Sequence, residues 1–229
     1  MSSFLLKIFA LFFMIIDHMG FILFPDNILF RAIGRLAFPL FAYQMAVGFF
    51  HTKNKKKHIL KLLIFAIICQ IPHSIMLNLY KSEYSLNIIF TFILALLIIY
   101  AFELLKPYSP DSNKFNFKNT LISFFLSLIC IIIGVYLNVD YTWYGIALVI
   151  SFYFSLNKKW LSIILFFLLI NLNCLITRSF MALLGYISLF DIIFILFFNG
   201  KKGYKCSWLF YIIYALHLLP MLFVKKFLL

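Results

Sequence analysis

Among the ionisable side chains inside long apolar runs of the sequence are Asp17, His18, Arg31, Arg35, His73, Asp191 and His217. Such a group costs about 2.5–3.5 kcal/mol at the centre of a membrane-spanning helix, so it faces the bundle interior and marks a binding site or a proton path. Histidine near neutral pH can serve as a general base or as a nucleophile. Asp17 lies eight residues before Pro25 and Arg35 ten after it. At about 1.5 Å of rise per residue, both fall about 12–15 Å below that turn. His73 stands near the same end of its own run, with Gln70 one turn away and Asn87 opening the next run. The spacing predicts a polar pocket in one half of a helical bundle. Adjacent helical positions point about 100° apart, so Asp17 is assigned to an ion pair with Arg35 and His18 to the cavity. A purely structural reading stands beside this one: Asp17 and Arg35 pin two helices, and His18 is a hydrogen-bonded core residue. Asp191 and His217 read either as a proton relay or as interhelical hydrogen bonds.

The elements that position these residues follow from composition. The chain has 229 residues, 65% hydrophobic and 12% charged, with a mean hydropathy of +1.06; soluble domains run at about 45–50% and 25%. That balance excludes a soluble globular protein and a disordered chain, and the length of the apolar runs excludes a β-barrel. The fold class is all-α, a polytopic membrane bundle of about nine spanning helices (8–10), read as one domain over residues 1–229. The spans are Phe4–Phe24, Ile28–Phe50, Ile59–Leu79, Ser85–Leu104, Thr120–Asn138, Tyr144–Leu156, Trp160–Ile176, Ser179–Phe198 and Trp208–Val224. The sixth is short enough to be a half-span. The first is kept as a mature helix, because Asp17 and His18 interrupt it and no small-residue cleavage site follows. Pro39 and Pro72 are expected to kink their helices, and Tyr141, Trp143 and Tyr144 to form an aromatic belt.

The formal net charge of +13 sits in short loops, where basic residues set topology, so no nucleic-acid partner is expected. With the N-terminus cytoplasmic, the inner loops carry Lys53, Lys55, Lys56 and Lys57, then Lys106, Lys114 and Lys118, then Lys158 and Lys159, then Lys201, Lys202 and Lys205. The outer loops carry only Lys81 and Arg178, beside Asp26, Glu83 and Asp140. The turn-rich stretch with Pro107, Pro110, Asp111, Ser112 and Asn113 reads as a loop. Two basic loops, His51–His58 and Asn199–Gly203, could hold phosphates, although topology or anionic lipid explains their charge as well. Cys69, Cys130, Cys174 and Cys206 have no metal-ligand spacing, and neither a disulfide framework nor a metal site is expected.

The strings IDHMG (Ile16–Gly20), IGRLAFPLFAY (Ile33–Tyr43), GFFHTKNKKKH (Gly48–His58) and QIPHS (Gln70–Ser74), followed by SLNIIFTF (Ser85–Phe92), DYTWYGI (Asp140–Ile146), NGKKG (Asn199–Gly203) and FYIIYALHLL (Phe210–Leu219), resemble the TraX family in order and spacing nearly end to end. The resemblance implies a membrane acetyltransferase of the bacterial inner membrane, drawing on cytosolic acetyl-CoA and serving an extracytoplasmic acceptor, the N-terminus of a pilin or a glycan hydroxyl or amine. It makes His18 the catalytic candidate, with Asp17 and Arg35 as electrostatic support and His73 and His217 as secondary candidates. Lys53, Lys55, Lys56, Lys57, Lys201 and Lys202 become contacts for the CoA phosphates. Arg31, Gln70, Asn87, Tyr144 and His217 complete the expected pocket, with no metal. Readings from other classes are a transporter or flippase for an anionic lipid-linked substrate, and a non-catalytic partner of an envelope assembly.

Overall fold

The structure is a computed structural model that describes residues 1–80, 83–106, 108–109, 114–204 and 207–227. Lys81, Lys205, Cys206, Pro107 and the stretch from Pro110 to Asn113, singled out above, lie outside the described residues. The helices are α1 (Ser3–Ile22), α2 (Ile28–Gly34), α3 (Ala37–Phe50), α4 (Lys55–Leu79), α5 (Ile88–Leu105), α6 (Phe117–Tyr136), α7 (Thr142–Ser155), α8 (Lys159–Thr177), α9 (Phe180–Leu184), α10 (Asp191–Phe197), α11 (Ser207–Leu216) and α12 (Leu218–Phe227). A 3-10 turn, Gly185–Phe190, joins α9 to α10, and a two-residue strand pair, Tyr108–Ser109 with Lys114–Phe115, closes the loop after α5.

Eight helical segments among the described residues are long and apolar enough to cross a membrane, with α2–α3, α9–α10 and the α11–α12 stretch each counted as one. The short ninth, α7, has 14 residues, about 21 Å of helix against a hydrocarbon core of about 30 Å. It is largely enclosed by protein: Ile146, Leu148, Val149 and Phe152 are all fully buried. A helix surrounded by protein has no need to match the bilayer alone. By contrast α6 and α8 bury little and present Phe124, Phe125, Ile132, Phe167 and Leu168 outward, the apolar surface that lipid tails accept.

Asparagine and serine start the helices. Asn27, Asn54, Asn87, Asn116 and Ser179 each accept a hydrogen bond from a backbone N–H of the first turn that follows, which satisfies donors that lipid cannot. Proline breaks them. Pro39 does not kink a continuous second span; it is the third residue of α3, after a break at Arg35 and Leu36. Its missing N–H leaves the Arg35 carbonyl without a helical partner, and a helix restarted just before it loses nothing, because first-turn N–H groups have no intrahelical acceptor. Pro220 occupies the same position in α12, behind a break at His217. Pro72 remains inside α4.

The two ends of the bundle are tied by non-local backbone bonds. At the end carrying the α3–α4 loop, Ser3 and Phe4 N–H groups donate to the Lys201 and Lys202 carbonyls at 2.8 and 3.1 Å. At the opposite end, Leu86 and Val139 form a parallel bridge, with Leu86 N–H donating to Asn138 O and Asp140 N–H to Leu86 O, both at 3.1 Å. Tyr80 Oη donates to Ile22 O at 2.5 Å beside it.

Candidate active site

The first two spans approach each other closely because two positions lack a Cβ. A methyl group at Gly20 would overlap Phe30 Cβ, and one at Gly34 would overlap the Asp17 side chain. Asp17 therefore sits against the backbone of α2, where two arginines reach it. Arg31 Nη1 lies 2.5 Å from Asp17 Oδ2 and Arg35 Nη2 lies 3.3 Å from Oδ1. The sequence assigned the carboxylate to Arg35; Arg31 is the nearer partner, because the two arginines are four residues apart on one face and the break after Gly34 leaves both at the helix end. Arg35 Nε also donates to Arg31 O at 3.3 Å.

These groups line a cavity of about 480 Å³ in the half of the bundle nearer the α1–α2 turn. Asp17, His18, Arg31, Arg35, His73, Asn87 and His217 are all in its wall. Asp17 and His18 face the same cavity, although adjacent in sequence, because it is wide enough to be approached from both sides of α1. His73 Nε2 is 3.3 Å from Ser85 Oγ. Gln70 stands one layer back: its amide donates to Ser85 O and accepts from the Asn87 backbone and side chain at 2.9–3.0 Å.

Four expected residues are placed differently. Tyr144 is buried but lines a separate small cavity of about 40 Å³, which Arg35 and Tyr141 also touch. Tyr141 does not belong to an outward aromatic belt; its ring stacks on Phe38 at 3.9 Å between centroids, and its hydroxyl accepts from Arg35 at 3.4 Å. Lys55 is engaged with Glu103 and with the Tyr153 hydroxyl and lies 4.8 Å over the Phe49 ring, so its charge is already met. Asp191 is fully buried away from the cavity, its carboxylate without a hydrogen bond among the described residues. Lys53, Lys56, Lys57, Lys201 and Lys202 are exposed at the opposite end of the bundle.

Asp140 and Tyr141 are the site residues that sequence reasoning missed. Both line the cavity from the loop before α7. The loop is held by Thr91 Oγ1 donating to Asp140 O at 2.5 Å and contains three non-glycine residues with positive φ, Asn138, Tyr141 and Thr142, a conformation sustained only when the surroundings enforce it. Burial pushes the Asp140 carboxyl up to about 7, against the opposing pull of Arg35.

The histidines have a readable protonation pattern. His217 Nδ1 is 2.7 Å from Tyr214 O; a carbonyl only accepts, so Nδ1 carries the hydrogen and Nε2 of the neutral ring carries the lone pair. That Nε2 is 3.2 Å from His18 Nδ1, which is also 3.0 Å from Met14 O. His18 Nδ1 faces two acceptors and is therefore the N–H, which leaves His18 Nε2 as the basic nitrogen. It makes no hydrogen bond among the described residues. A nucleophile or base in a cavity that two guanidinium groups also line is an arrangement that can serve group transfer.

Residues 2–225 match the family described as TraX protein. The chain belongs to the TraX family. It is 32% identical over 110 residues to a probable fimbrial assembly protein FimC, serogroup H1, of Dichelobacter nodosus, covering 43% of this chain and 45% of the relative. It is 30% identical over 162 residues to an uncharacterised protein of Rickettsia prowazekii (strain Madrid E), covering 68% of this chain and 56% of that one. The chain thus spans about half the length of the curated relatives it matches. No solved structure matches this TraX protein at comparable significance. Among its described residues no three His, Cys, Asp or Glu side chains gather as a metal site.

Proposed function

We propose that this TraX protein transfers an acetyl group from acetyl-CoA to an acceptor on the far side of a bacterial inner membrane, with His18 as base or nucleophile. The observation that carries this reading is the bare His18 Nε2 in a 480 Å³ cavity beside the Asp17–Arg31–Arg35 cluster. In direct transfer Nε2 takes the acceptor's proton as the acceptor attacks the thioester; in the covalent route Nε2 itself attacks and an acetyl-imidazole is passed on. Arg35 stabilises the oxyanion that forms in either route.

The charge distribution supplies the orientation of this reading. The exposed lysines of the α3–α4 and α10–α11 loops lie at one end, which the positive-inside rule assigns to the cytoplasm; Asp26, Glu83 and Asp140 lie at the cavity end. Lys225 and Lys226, at the cavity end, run against that bias. Acetyl-CoA binds by its phosphates among Lys53, Lys56, Lys57, Lys201 and Lys202, and its thioester arm reaches into the bundle. The name of the Dichelobacter relative, a fimbrial assembly protein, supports a surface protein as acceptor.

The test is acetyl transfer from radiolabelled acetyl-CoA by the purified protein in proteoliposomes, offered peptide amines and amino sugars. His18→Ala should end transfer while retaining the wild-type melting profile. Near-normal transfer by that variant would remove His18 from the mechanism. Flux of substrate with no covalent product would favour the transport reading instead.

A further inference from the structure

The ninth span is broken where it passes the cavity, and the break has a cause and a product. Pro220 has no N–H to give the Leu216 carbonyl, so α11 stops at Leu216 and α12 starts at Leu218. The residue between them is His217, whose backbone N–H still donates to Ile213 O at 2.9 Å while its ring turns to Tyr214 O. The same turn brings its ring centroid to 4.9 Å from that of His18.

We propose that His217 is the positioning residue and proton acceptor of His18. By accepting from His18 Nδ1 at 3.2 Å, beside the Met14 carbonyl at 3.0 Å, it joins in holding His18 in the Nδ1–H tautomer, so that Nε2 faces the reaction with its lone pair. The partner is a neutral imidazole where many hydrolases place a carboxylate. A neutral partner helps to fix the tautomer without adding a negative charge to a cavity already supplied with Asp17 and Asp140. This inference rests on the acetyl-transfer reading for its chemistry and on geometry alone for the pairing.

The proton accounting closes. In direct transfer the acceptor's proton moves to His18 Nε2, the acceptor atom bonds to the acetyl carbon, and the C–S bond breaks with its electron pair on sulfur. His18, now carrying two protons, passes the one on Nδ1 to His217 Nε2. The shift then reverses, and the Nε2 proton leaves to the thiolate, giving free CoA thiol and neutral rings. His217 keeps its Nδ1–H on Tyr214 O throughout.

Two variants separate positioning from proton acceptance. In His217→Gln the amide oxygen can still accept from His18 Nδ1, yet the amide cannot take the proton. In His217→Phe neither is possible. Nitrogen-15 spectra of histidine-labelled full-length protein in nanodiscs should show His18 as Nδ1–H in all three proteins, because the Met14 carbonyl accepts in each, with the Nδ1 resonance moved only in His217→Phe, where the second acceptor is lost; an unmoved resonance there overturns the positioning role. Acetyl transfer should fall at least tenfold in kcat with KM unchanged in His217→Gln, and further in His217→Phe. An Nε2–H His18 in the wild type overturns the pairing, and wild-type kcat in His217→Gln overturns the proton role. No transfer by a wild type whose His18 is Nδ1–H sinks the acetyl-transfer reading and the proton role with it, while positioning stands on the spectrum.

Discussion

The carboxylate of Asp17 occupies the space that a side chain at Gly34 would fill. One residue is therefore small because the other is charged and must come close enough for two guanidinium groups to reach it. Gly34→Ala should push Asp17 off its partners and cost about 1–3 kcal/mol, the usual penalty for overpacking. Gly48, also within a helix, has open space at its Cβ position, and Gly48→Ala should gain about 0.5–1 kcal/mol. Thermal unfolding of both variants in detergent checks the contrast; equal midpoints would show that Asp17 is not held by contact with α2.

Removing the acid altogether has a different signature. Asp17→Ala leaves Arg31 and Arg35 facing each other without a counter-charge, and breaking a buried pair in this way costs about 3–5 kcal/mol. The side chains keep 13–19% exposure, which places the expected loss at about 3 kcal/mol or below. Adding Arg31→Leu to Asp17→Ala should recover part of it, because the repulsion goes with the charge. A double variant less stable than Asp17→Ala alone would rule out this account.

Asp140 supplies a pH signature. Its carboxyl is raised to about 7 in the folded protein from about 3.9 in an unfolded chain, so the folded state binds the proton more tightly. Its contribution is greatest below pH 4, declines as pH rises through 7, and is flat above that. Asp140→Asn should remove this slope. Midpoints measured from pH 5 to 8 in both proteins isolate the difference from the histidines, which titrate in each; parallel curves would show that Asp140 is ionised throughout.

The lysines of the α3–α4 loop should not be equivalent. Lys55 is spoken for by Glu103 and Tyr153, whereas Lys56 and Lys57 are exposed. Under the proposed function, ligand at 100 times its Kd stabilises by about 2.7 kcal/mol. Lys56→Gln with Lys57→Gln should shrink the thermal shift given by CoA and leave the unliganded protein unchanged. Lys55→Ala should instead lower the unliganded midpoint, because it leaves Glu103 with the Tyr153 hydroxyl alone. A normal CoA shift in the double variant would move the donor site elsewhere.

How far the sequence could be read differs between spans and loops. Span positions were legible because an uninterrupted apolar run of about 20 residues has few other solutions, and the nine runs reappear as helices within a few residues at their ends. Asp17, Arg35, His18 and His73 were legible as a group because charge inside an apolar run demands a shared polar pocket. Which arginine lies closer to Asp17 was not, since it depends on where the helix ends after Gly34. Asp140 and Tyr141 were hidden for another reason. They reach the cavity through the Leu86–Val139 bridge, a pairing between segments 53 residues apart, and through left-handed backbone at a tyrosine and a threonine that no local preference announces. His217 was visible as a polar residue in a span, but its pairing with His18 joins opposite ends of the chain.

That separation of 199 residues sets an order of events during biogenesis. α1 is made long before the segment that carries the partner of its histidine. Until α11 and α12 enter the bilayer, His18 has no imidazole beside it. A nascent chain that has not yet reached α11 carries every charged residue of the first four helices and no assembled histidine pair. Synthesis of α11 and α12 thereby doubles as the step that arms the site.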